Sequence, residues 1–420
     1  MRKNILSVLT LAAALTALAT DTGVTNLIAR QRWPWSPVVD IDYTVVSSNT
    51  AVKFIAQYDG AEPFELAEKD LTGDFSITLQ PGLHHAVWDP VRAGLGATEL
   101  KNFRVTVEPD TTDRTYLILN LVDGSYRYMA APPEDGWKSD PAYYQTNMVF
   151  RRIPGGEAIL GLPDELRTRI NAGSNIGSTH VATLSSDYYL AVFKATAAQH
   201  DFACSNAVGV TMDVSGKNAA YKKETYNTIR GSKTADSIDW PNTQYAVAEG
   251  SVIAAYRKIA ESRLSKDWII DLPTVVQWER AARATTPTNW LWSTGGTADL
   301  TNDELDECLN KIAVWVGKTS GSGYVGNRDP NGWGLYDMVG LYYEWNMDYQ
   351  SGDMSYYSGL DPVGPLSQSK GYRARRSRDT SLGDSRYAYL TAAANVTSGA
   401  TSTWTYRLCI HLKSLFKDKR

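Results

Sequence analysis

Residues 331–345 read NGWGLYDMVGLYYEW, and the interpretation of this stretch, Asn331 to Trp345, governs that of the whole chain. Four aromatic side chains (Trp333, Tyr336, Tyr342 and Tyr343) stand ahead of the closing tryptophan, interleaved with Gly332, Gly334 and Gly340 and with two acids, Asp337 and Glu344. Large rings alternating with residues that tolerate positive φ suit a tightly looped segment, in which the rings fill a core and the glycines let backbones approach closely. Those glycines would weaken a regular helix, so a looped conformation is expected.

Outward from this stretch lie other segments of distinctive wording: MVFRRIPGGEAILG (Met148 to Gly161), DYYLAVFKATAAQHDF from Asp187, TYNTIRGS (Thr225 to Ser232), LPTVVQWERAAR (Leu272 to Arg283), DPVGP (Asp361 to Pro365), GYRARRSRDT (Gly371 to Thr380) and Tyr406-Arg407-Leu408. In this order they resemble the formylglycine-generating enzyme, or sulfatase-modifying factor, family, whose signature runs N-x-[FWY]-G-L-Y-D-M-x-G-N-[VA]-W-E-W. The match holds through Gly340 and departs at Leu341, Tyr342 and Tyr343. Other departures are Leu160 for a methionine, Lys194 for a glutamate, His200 for an aromatic, and Ser377 to Thr380 in place of Gly-Gly-Ser-Trp. The charge reversal at Lys194 is at odds with a salt bridge of the family. The resemblance covers about residues 148 to 412 and implies an irregular C-type-lectin-like α+β fold with little regular secondary structure.

Within that region the local physics is legible. Thr274 is placed as an N-cap, Gln277 at the third helical position completes a capping box, and Pro273 fixes the entry. Val275, Trp278 and Ala282 make one apolar helical face, and Ser251 can cap a second helix along Val252, Tyr256 and Ile259.

At 420 residues the chain is too long for one ordinary core, so two domains are expected. From Val38 the pattern turns to period two, with Val39, Ile41, Tyr43 and Val45 on one face. Further strand-like runs follow at Val52 to Tyr58, Phe75 to Leu79, Phe103 to Val107 and Tyr116 to Leu121. This predicts an immunoglobulin-like β-sandwich over 38–123, a linker over 124–147 carrying Pro132, Pro133 and Gly136, and the sulfatase-modifying-factor-like domain over 148–415. His84 and His85 are adjacent on a strand and so point to opposite faces, which argues against one shared metal.

Residues 1–19, with Arg2 and Lys3 ahead of an apolar run and small residues at Ala17 and Ala19, read as a secretory signal peptide. No later stretch approaches a membrane span, so the expected location is secreted, periplasmic or at the cell surface. Removing Arg2 and Lys3 takes the formal charge from -4 to -6, which offers no large basic field for nucleic acid. Three cysteines, Cys204, Cys308 and Cys409, permit one internal disulfide at most. Gly321, Gly323 and Gly326 satisfy G-x-G-x-x-G, but a turn rather than a helix follows, so dinucleotide binding is not expected.

The resemblance implies a copper-dependent oxidase that converts a cysteine of a protein substrate to formylglycine, using two thiolates to hold a soft copper(I) ion. The pair follows the Arg-Gly-Gly-Ser motif in members that carry it, and the equivalent span here, Thr380 to Leu390, has no cysteine. An iron site like that of a related oxidase branch would need converging histidines, whereas His180, His200 and His411 are scattered, so neither copper nor iron is expected. The resemblance further implies a structural Ca²⁺ held by Asp337, Gly340, Tyr342 and Glu344, two carboxylates and two carbonyls forming a partial oxygen shell. The alternative for the two acids is a turn cap and a solvated strand residue. Arg373, Arg375, Arg376 and Arg378, with Lys370 nearby, could clamp an anionic ligand such as a sulfated sugar, or could merely face water along an edge strand. The sequence as a whole reads as an exported, non-catalytic binding or surface module for a glycan or protein at the cell exterior. A formylglycine-generating oxidoreductase acting on a protein cysteine and a purely structural surface protein are the alternatives.

Overall fold

The computed structural model describes residues 23–47, 51–75, 79–164, 168, 177–208, 219–220, 226–230, 247–260, 263–265, 267–284, 304, 307, 310–314, 323–349, 351, 353–364, 373–376 and 404–412. The chain divides into two compact units, one of Met1–Thr112 with Ser265–Asp267 and one of Asp113–Leu264 with Trp268–Arg420.

In the first unit the strands are β1 (Val24–Gln31), β2 (Val39–Val45), β3 (Val52–Gln57), β4 (Phe64–Glu65), β5 (Leu71–Gly73), β6 (Gly82–Trp88) and β7 (Arg104–Pro109). They form a four-stranded sheet in the order β1-β2-β6-β5 and a three-stranded sheet in the order β4-β3-β7, with every pairing antiparallel. The alternation read in β2 is realised: Val39, Ile41, Tyr43 and Val45 point inward and are fully buried. Phe54 from β3, Trp88 from β6 and Val105 from β7 join them in one hydrophobic core. Burying each such side chain contributes about 1.5–3 kcal/mol.

The two histidines of β6 go to different partners. His84 stacks on Tyr43 with ring centroids 5.6 Å apart and lies 3.3 Å from an Asp74 oxygen. His85 Nδ1 lies 2.7 Å from Asp42 Oδ1, on the other face of the strand.

The second unit contains β8 (Tyr116–Asn120), β9 (Tyr126–Met129), β10 (Asn147–Ile153), β11 (Gly156–Leu160), β12 (His180–Leu184) and β13 (Tyr188–Ala191). Helices Ala197–Val208, Tyr226–Ile229 and Val252–Ala260 follow, then β14 (Trp268–Asp271) and helix Val275–Arg283. Last come β15 (Tyr343–Tyr349), β16 (Gly359–Leu360), β17 (Arg373–Arg376), β18 (Trp404–Thr405) and β19 (Cys409–Leu412). A six-stranded sheet runs β14-β19-β13-β10-β8-β9, and two small sheets run β11-β12-β16 and β17-β15-β18. Short strands with few helices make a mixed α and β architecture, in agreement with the α+β expectation.

Three sequence-based boundaries move. The run Tyr116 to Leu121 belongs to the second unit, where β8 pairs with β10 (Val149 opposite Ile118) and with β9, so the division falls after Thr112 rather than at 123. The physical reason is in the burial: Tyr116 to Leu119 are all buried, as in a central strand covered on both faces, not half-buried as in a sandwich strand. Residues 124–147 are not a linker either, because they supply β9 and the buried Trp137, whose ring meets Tyr116 at 5.0 Å and Tyr143 at 5.1 Å. In the first unit, β1 begins at Val24, ahead of the expected start at 38.

Candidate functional site

The stretch 331–345 folds as a loop that feeds β15. Asn331 pins its start: the side-chain oxygen accepts from the amides of Trp333 (3.0 Å) and Leu335 (3.1 Å), while the amide nitrogen donates to the Ala281 carbonyl at 2.8 Å. Four residues take left-handed backbone conformations, Gly334 (φ 78), Asp337 (φ 55), Gly340 (φ 75) and Leu341 (φ 63). Only glycine fits at 340, because a Cβ there would lie 2.2 Å from the Val314 carbonyl oxygen.

Helix Val275–Arg283 packs beside this loop, and the structure shows its capping box: Thr274 accepts from the Gln277 amide and Gln277 returns a bond to the Thr274 amide. Asp348, further along β15, accepts from the Val275 amide at 2.9 Å and so adds a carboxylate to the positive end of the helix. Its other oxygen accepts from Gly364 at 2.9 Å, which accounts for the glycine of the DPVGP motif: a Cβ would stand 2.7 Å from that oxygen. On the opposite flank Glu279 accepts from the Gly161 amide at 2.7 Å, and Arg283 pairs with Glu279 at 2.8 Å and donates to the Gly161 carbonyl.

Glu344 lies at the centre of the site, fully buried on β15. Its Oε1 accepts from Lys194 Nζ at 2.5 Å and from Arg407 Nη2 at 3.1 Å, and its Oε2 accepts from Trp278 Nε1 at 2.6 Å and Arg407 Nε at 3.2 Å. Arg407 uses the rest of its fork on carbonyls, donating to Ala191 (2.7 Å), Val192 (2.8 Å) and Tyr336 (2.7 Å). Burial alone would raise the Glu344 carboxyl, but Arg407 and Lys194 outweigh it and hold the group below the usual range. Lys194 is lowered, chiefly by burial, against the pull of Glu344. Asp337, also buried, accepts from the Gly326 amide at 2.6 Å through Oδ2, while Oδ1 has no hydrogen-bond partner. Burial raises its carboxyl, and Lys194 and Arg407 act in the opposite direction.

This geometry bears on the calcium shell expected at Asp337, Gly340, Tyr342 and Glu344. Both oxygens of Glu344 are taken by cations and an indole, and the Gly340 carbonyl accepts from the Tyr342 amide at 2.9 Å. Two acids and two bases already neutralise one another there. Of the four carboxylate oxygens in the expected set only Asp337 Oδ1 is without a partner, so the two acids as arranged do not fit a divalent ion.

The arginine cluster falls partly on β17, which sits at the edge of its sheet with Arg376 opposite Glu344, Arg375 opposite Trp345 and Arg373 opposite Tyr349. Arg378 lies outside the described residues.

Of the cysteines, Cys409 is buried in β19, where burial, then Asp271, push its thiol well above the ordinary value. Cys204 stands on helix Ala197–Val208, its sulfur 3.6 Å from His200 Nε2. Cys308 lies outside the described residues.

Three functional-looking groups escaped sequence reasoning. Lys194 and Arg407 as partners of Glu344 are 150 and 63 residues away from it, although the charge reversal at Lys194 was a usable clue. Buried Asp271 is bound by Arg230 (2.9 Å) and the half-buried Arg257 (2.7 Å), a triad that no local spacing announces. His200 and Cys204 are four apart on one helix, a spacing visible in the sequence, and His200 also lies 3.1 Å from the Tyr406 hydroxyl.

Among solved structures, the chain is similar to PvdO from Pseudomonas aeruginosa, with 17% identity, 63% of this chain and 94% of that chain covered and a TM-score of 0.45. It is similar also to Treponema denticola variable protein 1, at 19% identity, 63% and 95% coverage and a TM-score of 0.44. A third similar structure is CarF, at 14% identity, 61% and 96% coverage and a TM-score of 0.34. No curated protein matches the chain. The profile of the sulfatase-modifying factor enzyme 1-like domain matches residues 137–392, which take in β10, helix Val275–Arg283 and the whole loop around Glu344, and the chain belongs to that family.

Proposed function

We propose that this protein is a non-catalytic member of its family that acts outside the cytoplasm by binding a glycan or a protein. The observation that carries the reading is the placement of the two described thiols, Cys204 and Cys409. Cys409 sits in the core beside Val275 and Tyr188, whereas Cys204 packs with a different cluster, around Tyr256 and Tyr406. Two thiolates within reach of each other are what a copper(I) oxidase requires, and the span Thr380 to Leu390 contains none. The signature acids are committed to internal bonds rather than to a substrate.

The first unit supports an adhesive or spacer role. Its four-stranded order β1-β2-β6-β5 matches the A-B-E-D sheet of immunoglobulin-like domains, with β3 and β7 in the places of C and F in the second sheet. The N-terminal leader accounts for export. Arg373, Arg375, Arg376 and Arg378 supply the anion-binding element, since guanidinium forks match planar oxyanions such as sulfate esters.

The test is a copper-loaded turnover assay on a cysteine peptide alongside a glycan and peptide array probed with the full chain. No aldehyde product and a binding signal against sulfated glycans, reduced at least tenfold by joint replacement of Arg375, Arg376 and Arg378, are expected. Turnover that disappears in the Cys409→Ser variant would overturn the reading. Binding that ignores the arginine replacements would reduce the cluster to a solubilising edge.

A further inference from the structure

We infer that the ammonium of Lys194 is the resident cation of the signature loop, holding Glu344 and Asp337 in the place where a divalent ion would otherwise be needed, so that the fold of this protein is independent of calcium. The proposal does not rest on the binding function put forward above.

The physical problem is general. A loop that buries two carboxylates must supply compensating positive charge, because an isolated buried anion is far too costly to persist ionised. One solution is a hard divalent cation with an oxygen shell. The other is to bring in a basic side chain. Here Lys194 extends from the residues just after β13, is fully buried, and places Nζ 2.5 Å from Glu344 Oε1. Asp337 lies within the field of the same ammonium, with its Oδ1 accepting no hydrogen bond from any side chain or backbone group. Arg407 closes the opposite side of Glu344 with its own fork, and the indole of Trp278 takes the remaining oxygen.

Two consequences make the arrangement exclusive. With Lys194 and Arg407 charged, the two carboxylates are balanced, and an added dication would meet two like charges at hydrogen-bonding distance from the oxygen it sought. Removing the ammonium reverses this. Glu344 and Asp337 would then face Arg407 alone, leaving one uncompensated negative charge, an emptied position beside Glu344 Oε1 and an unused oxygen on Asp337.

The experiment uses the full chain, stripped with a chelator and then melted with and without millimolar calcium, with a calorimetric titration beside it. The parent protein is expected to show the same Tm in both conditions and no saturable calcium heat. Lys194→Gln is expected to have a lower Tm when stripped and to recover roughly 5 to 10 °C with calcium at a hundredfold excess over its Kd. Lys194→Arg, which keeps a charge, is expected to stay indifferent to calcium. A calcium-dependent rise in the Tm of the parent, or saturable heat, overturns the proposal. So does a folded Lys194→Gln protein that ignores calcium. Should Lys194→Gln fail to fold with or without calcium, the titration of the parent alone decides.

Discussion

Glu344 accepts from three side chains at once, and each of its partners is itself buried, so its removal leaves two buried cations, Lys194 and Arg407, without the carboxylate they share. Breaking a buried pair from one side typically costs 3–5 kcal/mol, because the abandoned charge keeps its desolvation penalty. Glu344→Gln, which preserves shape and removes charge, is therefore expected to lose about 3 kcal/mol or more in urea denaturation. A loss under about 1 kcal/mol would mean that the cluster is wetter than its burial indicates. The sequence carried half of this residue's story. The spacing of Asp337 and Glu344 showed that two acids would share one loop, but the cation that answers them stands 150 residues away and no local pattern could name it.

Among the elements, the loop ahead of β15 is held by backbone geometry as much as by charge. Gly340 (φ 75) has the Val314 carbonyl against it, whereas Gly60, also at positive φ (83), has nothing within 4 Å of the point where a Cβ would stand. Gly60→Ala should cost only the conformational penalty of about 1–2 kcal/mol, while Gly340→Ala adds a backbone collision and should cost at least about 2 kcal/mol more. Denaturation of the two variants side by side measures the difference. Elements whose signals are local were readable: the capping box at Thr274 and Gln277, the inward face of β2, and the looped character of 331–345. What was not readable was which sheet a strand joins. The apolar run Tyr116 to Leu119 satisfies a strand of either unit, and only its burial on both faces, between β10 and β9, assigns it.

For the whole molecule, acid should be destabilising over a defined range. Burial pushes His200 and His411 down to about 4, so between the ordinary value of 6.5 and that point the unfolded chain binds protons that the folded chain refuses. Stability is therefore full above pH 6.5 and falls as pH drops toward 4, by about 2 kcal/mol per histidine at pH 5. Below the ordinary carboxylate range Asp271 adds to the loss: burial raises its carboxyl, but Arg230 and Arg257 overcome this and set it low in the fold. Asp337, raised by burial, works the other way: its carboxyl takes up a proton in the fold before the unfolded chain does, which offsets part of the histidine loss above the ordinary carboxylate range. Urea midpoints at pH 7 and pH 5 are expected to differ accordingly, and the difference should shrink in His200→Gln. The fork of Arg407 has one more consequence, for the order in which this unit comes together. It reaches carbonyls 216, 215 and 71 residues earlier in the chain, and the neighbouring β19 inserts between β14 and β13 inside the six-stranded sheet. The central sheet and the charge cluster thus cannot close until the ribosome has passed Leu412, so nearly the entire unit must be kept from collapsing wrongly while it waits.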